Sequence, residues 1–215
     1  MSGLKPRVLL ADDHKIVLEG LRGLLGDQFD LVGFATNGRE LITQAAALRP
    51  DVIVADISMP LLNGIEAVRK LLEDDKHVKV VFLTMHPDQT YASRALEAGA
   101  SAYVLKHSAS DELVAAIHEV LRGGKFVSES LKNEALSELL NQTRRHLKET
   151  IELTGRQREV LQLLVEGKSA KEIAAVLNIS PRTVETHKYQ MMDDLGVKTS
   201  AQLVQYAIRH GLASE

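Results

Sequence analysis

Between Arg7 and about Gly124 the chain alternates short apolar runs, rich in β-branched residues, with longer stretches whose apolar positions recur every three to four residues. Short continuous runs mark strands buried on both faces, and the 3.6-residue recurrence marks amphipathic helices laid against them. The runs predict strands at Arg7 to Ala11, Asp30 to Ala35, Val52 to Ala55, Val78 to Leu83 and Ala102 to Leu105. Between them, Ile16, Leu21, Leu24 and Leu25 are expected on the buried face of a first helix, and Ile65, Val68, Leu71 and Leu72 on that of a third. Gly99 and the Gly123-Gly124 pair punctuate helix ends. Five βα units in succession predict an α/β fold, a five-stranded parallel sheet doubly wound with helices on both faces.

Past Gly124 the pattern changes. Residues 125–150 read as a linker, less regular, with a helix from Glu134 to Leu140 and a polar stretch from Asn141 to His146. From Ile151 the recurrence is helical throughout, broken at Gly167, Asn178 and Gly196, which predicts a small all-α domain of about four short helices. A chain of 215 residues exceeds the usual single domain, and the expected division is 1–124, 125–150 and 151–215.

Composition narrows the compartment and the chemistry. No apolar stretch approaches the ~20 residues needed to span a bilayer, and the start is polar, so a soluble cytoplasmic protein without a membrane partner is expected. The absence of cysteine removes disulfides and thiolate zinc sites, leaving oxygen and imidazole for any metal. Lys and Arg number 26 against 29 Asp and Glu, and residues 151–215 hold 8 of each sign, so charge alone does not point to nucleic acid.

The strand ends do point somewhere. The predicted strands stop at Asp12-Asp13, Asp56, Thr84 and Lys106. In an open parallel sheet the carboxyl ends of the strands share one crevice, so these side chains converge despite their separation in sequence. Three carboxylates held close repel one another unless a cation offsets the charge, which implies a divalent metal. Asp56 is the candidate nucleophile, a carboxylate able to form an acyl phosphate. Asp12 and Asp13 are candidate Mg²⁺ ligands with Asp56, Lys106 a neutraliser of phosphoryl charge, and Thr84 a hydrogen-bond donor to the transferred group. Singly, each has a bland reading, because Asp caps helices, Thr populates strands and Lys is usually solvated. The set at four strand ends is what carries the inference.

With these residues in place, 7 to about 123 resembles the receiver domain of two-component response regulators. The resemblance implies that Asp56 accepts phosphate from a sensor histidine kinase, that Asp12, Asp13, Asp56 and the Ser58 backbone carbonyl hold Mg²⁺, and that Thr84 and Lys106 contact the phosphoryl group. It also implies that Thr84 and Tyr103 act as the switch pair. Ser58 and His86, two residues past Asp56 and Thr84, stand where similar receivers tune phosphate loss. His107 stands where many receivers carry proline after the lysine.

In the second region, Ser169 to Leu177, a turn at Asn178-Ile179-Ser180, and Pro181 to Leu195 read as helix, turn, helix. Val184, Met191 and Leu195 share the inward side, opposite a stripe of Arg182, Glu185, Thr186, Tyr189 and Asp193. Periodicity alone fits an ordinary helical hairpin as well as a DNA reader. The segments Leu153-Thr154-Gly155-Arg156-Gln157-Arg158-Glu159, Gly167-Lys168-Ser169-Ala170-Lys171-Glu172-Ile173-Ala174 and Ile179-Ser180-Pro181-Arg182-Thr183-Val184-Glu185-Thr186-His187 resemble a LuxR-type helix-turn-helix. Joined to a receiver, this is the arrangement of the NarL/FixJ response regulators. It implies transcription regulation through double-stranded DNA by a homodimer formed on activation. The contacts it implies come from Arg182, Lys188, Thr186 and Tyr189, with Thr183 and Glu185 on the same element and Lys171 and Lys198 at its flanks. Asp193-Asp194 depart from the pattern, since such helices usually carry Lys directly before Leu195; Asp194 is expected to pair with a basic residue inside the domain.

Two other classes fit parts of the chain. An Mg-dependent aspartyl-phosphate phosphohydrolase would want a second carboxylate two residues past Asp56, where Ser58 stands, and a substrate cap. A phospho-responsive regulator working only through protein contacts would suit the acidic pair.

Overall fold

The protein is described by a computed structural model over residues 4–75, 78–87, 89–131, 153–209 and 212–213. The chain divides into two compact units, 1–140 and 141–215. In the first, β1 (Arg7–Ala11), β2 (Asp30–Ala35), β3 (Val52–Ala55), β4 (Lys79–Thr84), β5 (Ala102–Leu105) and β6 (Phe126–Val127) form one parallel sheet in the order β2-β1-β3-β4-β5-β6. The crossovers carry α1 (Lys15–Leu25), α2 (Gly38–Leu48), α3 (Gly64–Asp74), α4 (Gln89–Glu97) and α5 (Ala109–Leu121).

Because side chains alternate along a strand, each buried strand feeds two cores. Val8 and Leu10, Val52 and Val54, and Ala102 and Val104 pack with Leu21 of α1 and Ile117 of α5. Leu9 and Ala11, Ile53 and Ala55, and Tyr103 and Leu105 pack on the other face with Leu41 of α2, Val68 of α3 and Ala95 of α4. The doubly wound expectation therefore holds, with three corrections of detail.

Among the described residues the sheet has six strands, not five. Phe126 and Val127 alternate between the two cores, and the Phe126 amide donates to the Ser101 carbonyl at 3.1 Å. They cover the outer edge of β5, which would otherwise present unpaired backbone groups. Leu131 is also buried in the first core. Residues expected to begin a linker thus complete the first unit.

Ile16 is 83% exposed, whereas Leu18, Leu21 and Leu25 are buried. At about 100° per residue Ile16 lies roughly opposite that stripe. Finally, β4 runs to Thr84, which pairs with Leu105. The hydroxyl is thus carried by the last residue of the strand.

The turn that carries β3 into α3 tolerates little change. Asn63 caps α3 by accepting from the Glu66 amide at 2.9 Å, and the Gly64 amide donates to the Ile57 carbonyl at 2.8 Å. A Cβ on Gly64 would lie 2.0 Å from the Asp56 carbonyl oxygen. Gly64→Ala is expected to destabilise the first unit by about 1–3 kcal/mol, the usual cost of forcing atoms into a packed site. Chemical denaturation checks this; a loss below about 0.5 kcal/mol, the level of an ordinary surface change, would contradict it.

The second unit contains α6 (Gly155–Val165), α7 (Ala170–Leu177), α8 (Pro181–Asp194) and α9 (Ser200–Arg209). Each of the first three starts on a side-chain cap: Thr154 and Ser169 form capping boxes with Gln157 and Glu172, and Ser180 accepts from the Thr183 amide with Pro181 following it. Asn178 ends α7 in the left-handed region at φ 54°. Val184 and Met191 of α8 pack with Val160 and Leu161 of α6, Ile173 of α7 and Leu203 of α9. Among the described residues no helix is long and apolar enough to cross a membrane. The helix expected from Glu134 to Leu140 lies outside the described residues.

Candidate functional site

The sheet order reverses direction at β1, which has β2 on one side and β3 on the other, and a crevice opens beyond the carboxyl ends of such a pair. The backbone brings Asp12 and Asp56 to its mouth. The Asp56 amide donates to the Ala11 carbonyl at 2.8 Å, and the Asp12 amide donates to the Ala35 carbonyl at 3.0 Å. Both carboxylates are nearly closed to solvent, 1% exposed for Asp12 and 4% for Asp56.

Lys106 opens a 3₁₀ turn, Lys106–Ser108, at the end of β5. Its ammonium stands 2.7 Å from Asp12 Oδ2 and 2.7 Å from Asp56 Oδ2. Burial pushes the Asp56 carboxyl above its usual range; the ammonium opposes that shift and Asp12 adds to it. Burial pulls Lys106 down, but Asp56 and Asp12 outweigh it, leaving the amine above its ordinary value. The other Asp56 oxygen accepts from the Ile57 amide at 2.7 Å. The peptide between Lys106 and His107 is trans, and His107 is exposed.

Asp13 is exposed at the rim and reaches this group through His14, whose Nδ1 is 2.8 Å from Asp13 Oδ1 and 3.3 Å from Asp12 Oδ1. His14 is not among the residues that the sequence pattern predicts for the site. Its place directly after two aspartates, before the first helix, was the available signal. The donor atoms of Asp12, Asp13 and His14 lie within 4.8 Å of one another. Two carboxylates already arranged about one ammonium, with a third at the rim, fit a hard divalent cation.

Thr84 is fully buried, and its hydroxyl accepts from the His86 amide at 3.3 Å. Tyr103 is also fully buried and donates its hydroxyl to the His86 carbonyl at 2.8 Å. The His86 ring stacks on Tyr91 with centroids 4.2 Å apart, and its Nε2 is 2.7 Å from the Ser58 hydroxyl. The residues two past Asp56 and Thr84 therefore touch each other beside the pocket.

On α8, Arg182, Thr186, Tyr189 and Asp193 form an exposed stripe, with Tyr189 61% exposed. Lys171 and Lys198 are exposed as well. Lys188 is engaged locally: its ammonium is 2.5 Å from Glu185 Oε2 and 5.1 Å from the centre of the Tyr189 ring. Thr183 Oγ1 is turned back to the Ser180 hydroxyl at 2.8 Å, and the Thr186 hydroxyl donates to the Arg182 carbonyl at 3.0 Å. Asp193 and Asp194 are both exposed, and among the described residues neither makes an ion pair. The internal partner expected for Asp194 is not found among the described residues.

Comparison with known families agrees with both units. Residues 8–118 match the response regulator receiver domain, and residues 152–207 match the luxR family of bacterial regulatory proteins. The chain belongs to the response regulators. It joins a receiver to a LuxR-type DNA-binding domain and is a transcription regulator of the two-component kind. It is 37% identical to the transcriptional regulatory protein MctR of Rhizobium johnstonii, over 98% of this chain and 97% of that protein. Against the response regulator UvrY of Escherichia coli the identity is 32%, over 96% and 95%. Among solved response regulators, RcsB of Salmonella typhimurium is 29% identical with a TM-score of 0.66, covering 94% of this chain and 96% of that one. RcsB has also been solved as two dimers bound to DNA, at 30% identity, a TM-score of 0.56 and 94% and 97% coverage.

Proposed function

We propose that Asp56 accepts a phosphoryl group from a sensor histidine kinase, and that the acyl phosphate drives this response regulator to dimerise and bind double-stranded DNA. The observation that carries the reading is the Lys106 ammonium shared between Asp12 and Asp56 at 2.7 Å each. A nucleophilic carboxylate, a second carboxylate and a cation in a nearly closed crevice are the parts phosphoryl transfer needs for positioning and charge neutralisation.

Asp12, Asp13 and Asp56, with the Ser58 carbonyl, would hold Mg²⁺, which when bound neutralises charge developing on the phosphoryl oxygens. The chain's own residues supply the rest. Asp56 attacks the phosphorus through a carboxylate oxygen, and the donor's leaving atom departs with the electron pair of the broken bond. Lys106 pairs with the transferred group, and the Thr84 hydroxyl, an acceptor from the His86 amide, donates its proton to a phosphoryl oxygen. Tyr103 lies on the His86 carbonyl, so a shift of the segment from Thr84 to His86 is felt at the switch aromatic. Ser58, where a hydrolase of this chemistry would want a carboxylate, favours a stored signal over turnover.

The dimer and the DNA target are carried over from RcsB, solved as dimers on DNA. Phosphorylation adds roughly 1.5 to 2 negative charges, while moving a population from 1:99 to 99:1 takes ~5.5 kcal/mol of differential binding. A single short helical unit with few cations gains DNA affinity by pairing on two half-sites.

The direct test is sedimentation together with a salt-dependent gel shift on promoter DNA, before and after treatment with acetyl phosphate and Mg²⁺. Conversion to dimer with tighter DNA binding is expected; identical behaviour in both states would sink the reading. Within that assay, Arg182→Ala should weaken binding to every sequence and flatten the plot of log K against log salt by about 1.8 for the dimer, one phosphate contact from each protomer. A slope equal to wild type would remove Arg182 from the backbone contacts.

A further inference from the structure

Ser128 belongs to neither the phosphoryl pocket nor the DNA-binding unit. It is a fully buried polar residue at the end of β6. Its amide donates to the Tyr103 carbonyl at 2.9 Å. Its hydroxyl accepts from the Leu105 amide at 3.0 Å and donates to a carboxylate oxygen of Glu112. The second Glu112 oxygen accepts from the Glu129 amide at 3.1 Å.

These bonds close a ring. β5 ends at Leu105, Lys106 follows and turns into α5, Glu112 lies in the first turn of α5, and Glu112 returns through Ser128 to Leu105. A hydroxyl has one proton, so Ser128 is committed in both directions, to β5 as acceptor and to Glu112 as donor. Of the two backbone groups that Ser128 engages, one belongs to the switch aromatic and the other precedes the pocket lysine. Tyr103 holds the His86 carbonyl, and Leu105 precedes the lysine that spans Asp12 and Asp56.

We infer that Ser128 and Glu112 are positioning residues that couple the end of β5, and so Lys106 and Tyr103, to the segment that follows β6 at Glu129. This rests on the functional reading above. A shift of Lys106 toward a phosphoryl group pulls on the ring, and the carboxylate carries the displacement to the Glu129 amide, in the segment that follows β6 on the way to the second unit. An apolar side chain at 128 would leave the Leu105 amide and a Glu112 oxygen without partners and cut that path.

The test uses full-length wild type, Ser128→Ala, Ser128→Thr and Glu112→Ala, treated with acetyl phosphate and Mg²⁺. Intact mass follows the rate of phosphate gain, and gel shift gives the ratio of DNA affinities with and without phosphate. Ser128→Ala and Glu112→Ala are expected to gain phosphate at near the wild-type rate while that ratio falls about fivefold or more, the scale of an ordinary allosteric coupling. Ser128→Thr, which keeps the hydroxyl, should restore the ratio. A purely structural role lowers the melting temperature without moving the ratio, and that result would overturn the inference. Should Ser128→Ala fail to fold, Glu112→Gln is read in its place: it keeps the side-chain shape but weakens the acceptor, so an unchanged ratio there is equally fatal. A wild-type chain that takes phosphate yet gains no DNA affinity would instead overturn the functional reading, and the coupling with it.

Discussion

Asp56→Asn is expected to take up no phosphoryl group from acetyl phosphate and Mg²⁺ under conditions in which the wild type gains one, and to show no phosphate-dependent change in DNA binding. An amide oxygen is a far poorer nucleophile than a carboxylate, and no other described carboxylate is both buried and paired with Lys106 except Asp12. The fold should survive. The change removes a charge-assisted bond to Lys106, but it also removes a buried charge and the repulsion from Asp12, so the opposing effects should leave stability within about 1–2 kcal/mol of wild type. Intact-mass measurement and thermal melting separate the two outcomes. A variant that still gains one phosphoryl group places the acceptor elsewhere, with Asp12 or Asp13 next in line.

The residues of this pocket were legible in the sequence because parallel strands buried on both faces read as unbroken apolar runs, so the polar residue closing each run stands out. Asp12, Asp56 and Lys106 meet as that pattern implied; Thr84 is nearby but engaged with the His86 amide. What stayed hidden had no period to betray it. β6 is two residues long, too short for alternation to register, and its covering of the β5 edge is a tertiary fact. Ile16 lies on the face opposite the predicted one, because one early apolar residue fits a helical wheel only loosely until the helix start is known. The engagement of Lys188 with Glu185 and Tyr189, and the ring through Ser128 and Glu112, depend on rotamers and on residues 16 positions apart. The exposed acidic pair at the end of α8 was visible from the start, and the structure sharpens its cost. Two carboxylates at a helix C-terminus oppose the macrodipole, and no basic residue in the last turn relieves them.

Lys106→Met should be the most destabilising change at the pocket. Met matches the length and apolar stem of Lys, so little cavity forms, and the effect isolates the charge. Without the ammonium, Asp12 and Asp56 remain as two nearly buried carboxylates with no cation between them. Removing one partner from a buried ion pair typically costs about 3–5 kcal/mol, which for a domain of this size lowers the melting temperature by roughly 10 °C or more. The loss should depend on pH in a definite direction. Burial raises the Asp56 carboxyl in the folded state and Lys106 is the main influence lowering it, so the variant's carboxyl rises further. A group with a raised folded-state value binds protons more tightly folded than unfolded, so its stability contribution falls as pH rises through that value. The deficit of Lys106→Met relative to wild type should therefore be larger at pH 8 than at pH 5. Millimolar Mg²⁺ should recover more stability in the variant than in the wild type, because the ammonium no longer competes for Asp12 Oδ2 and Asp56 Oδ2 and tighter binding adds to folding stability by linkage. Melting curves of both proteins at the two pH values, with and without Mg²⁺, decide the matter. If the deficit is flat with pH, or the wild type gains as much from Mg²⁺ as the variant, then Lys106 is not what balances the charge of the pocket.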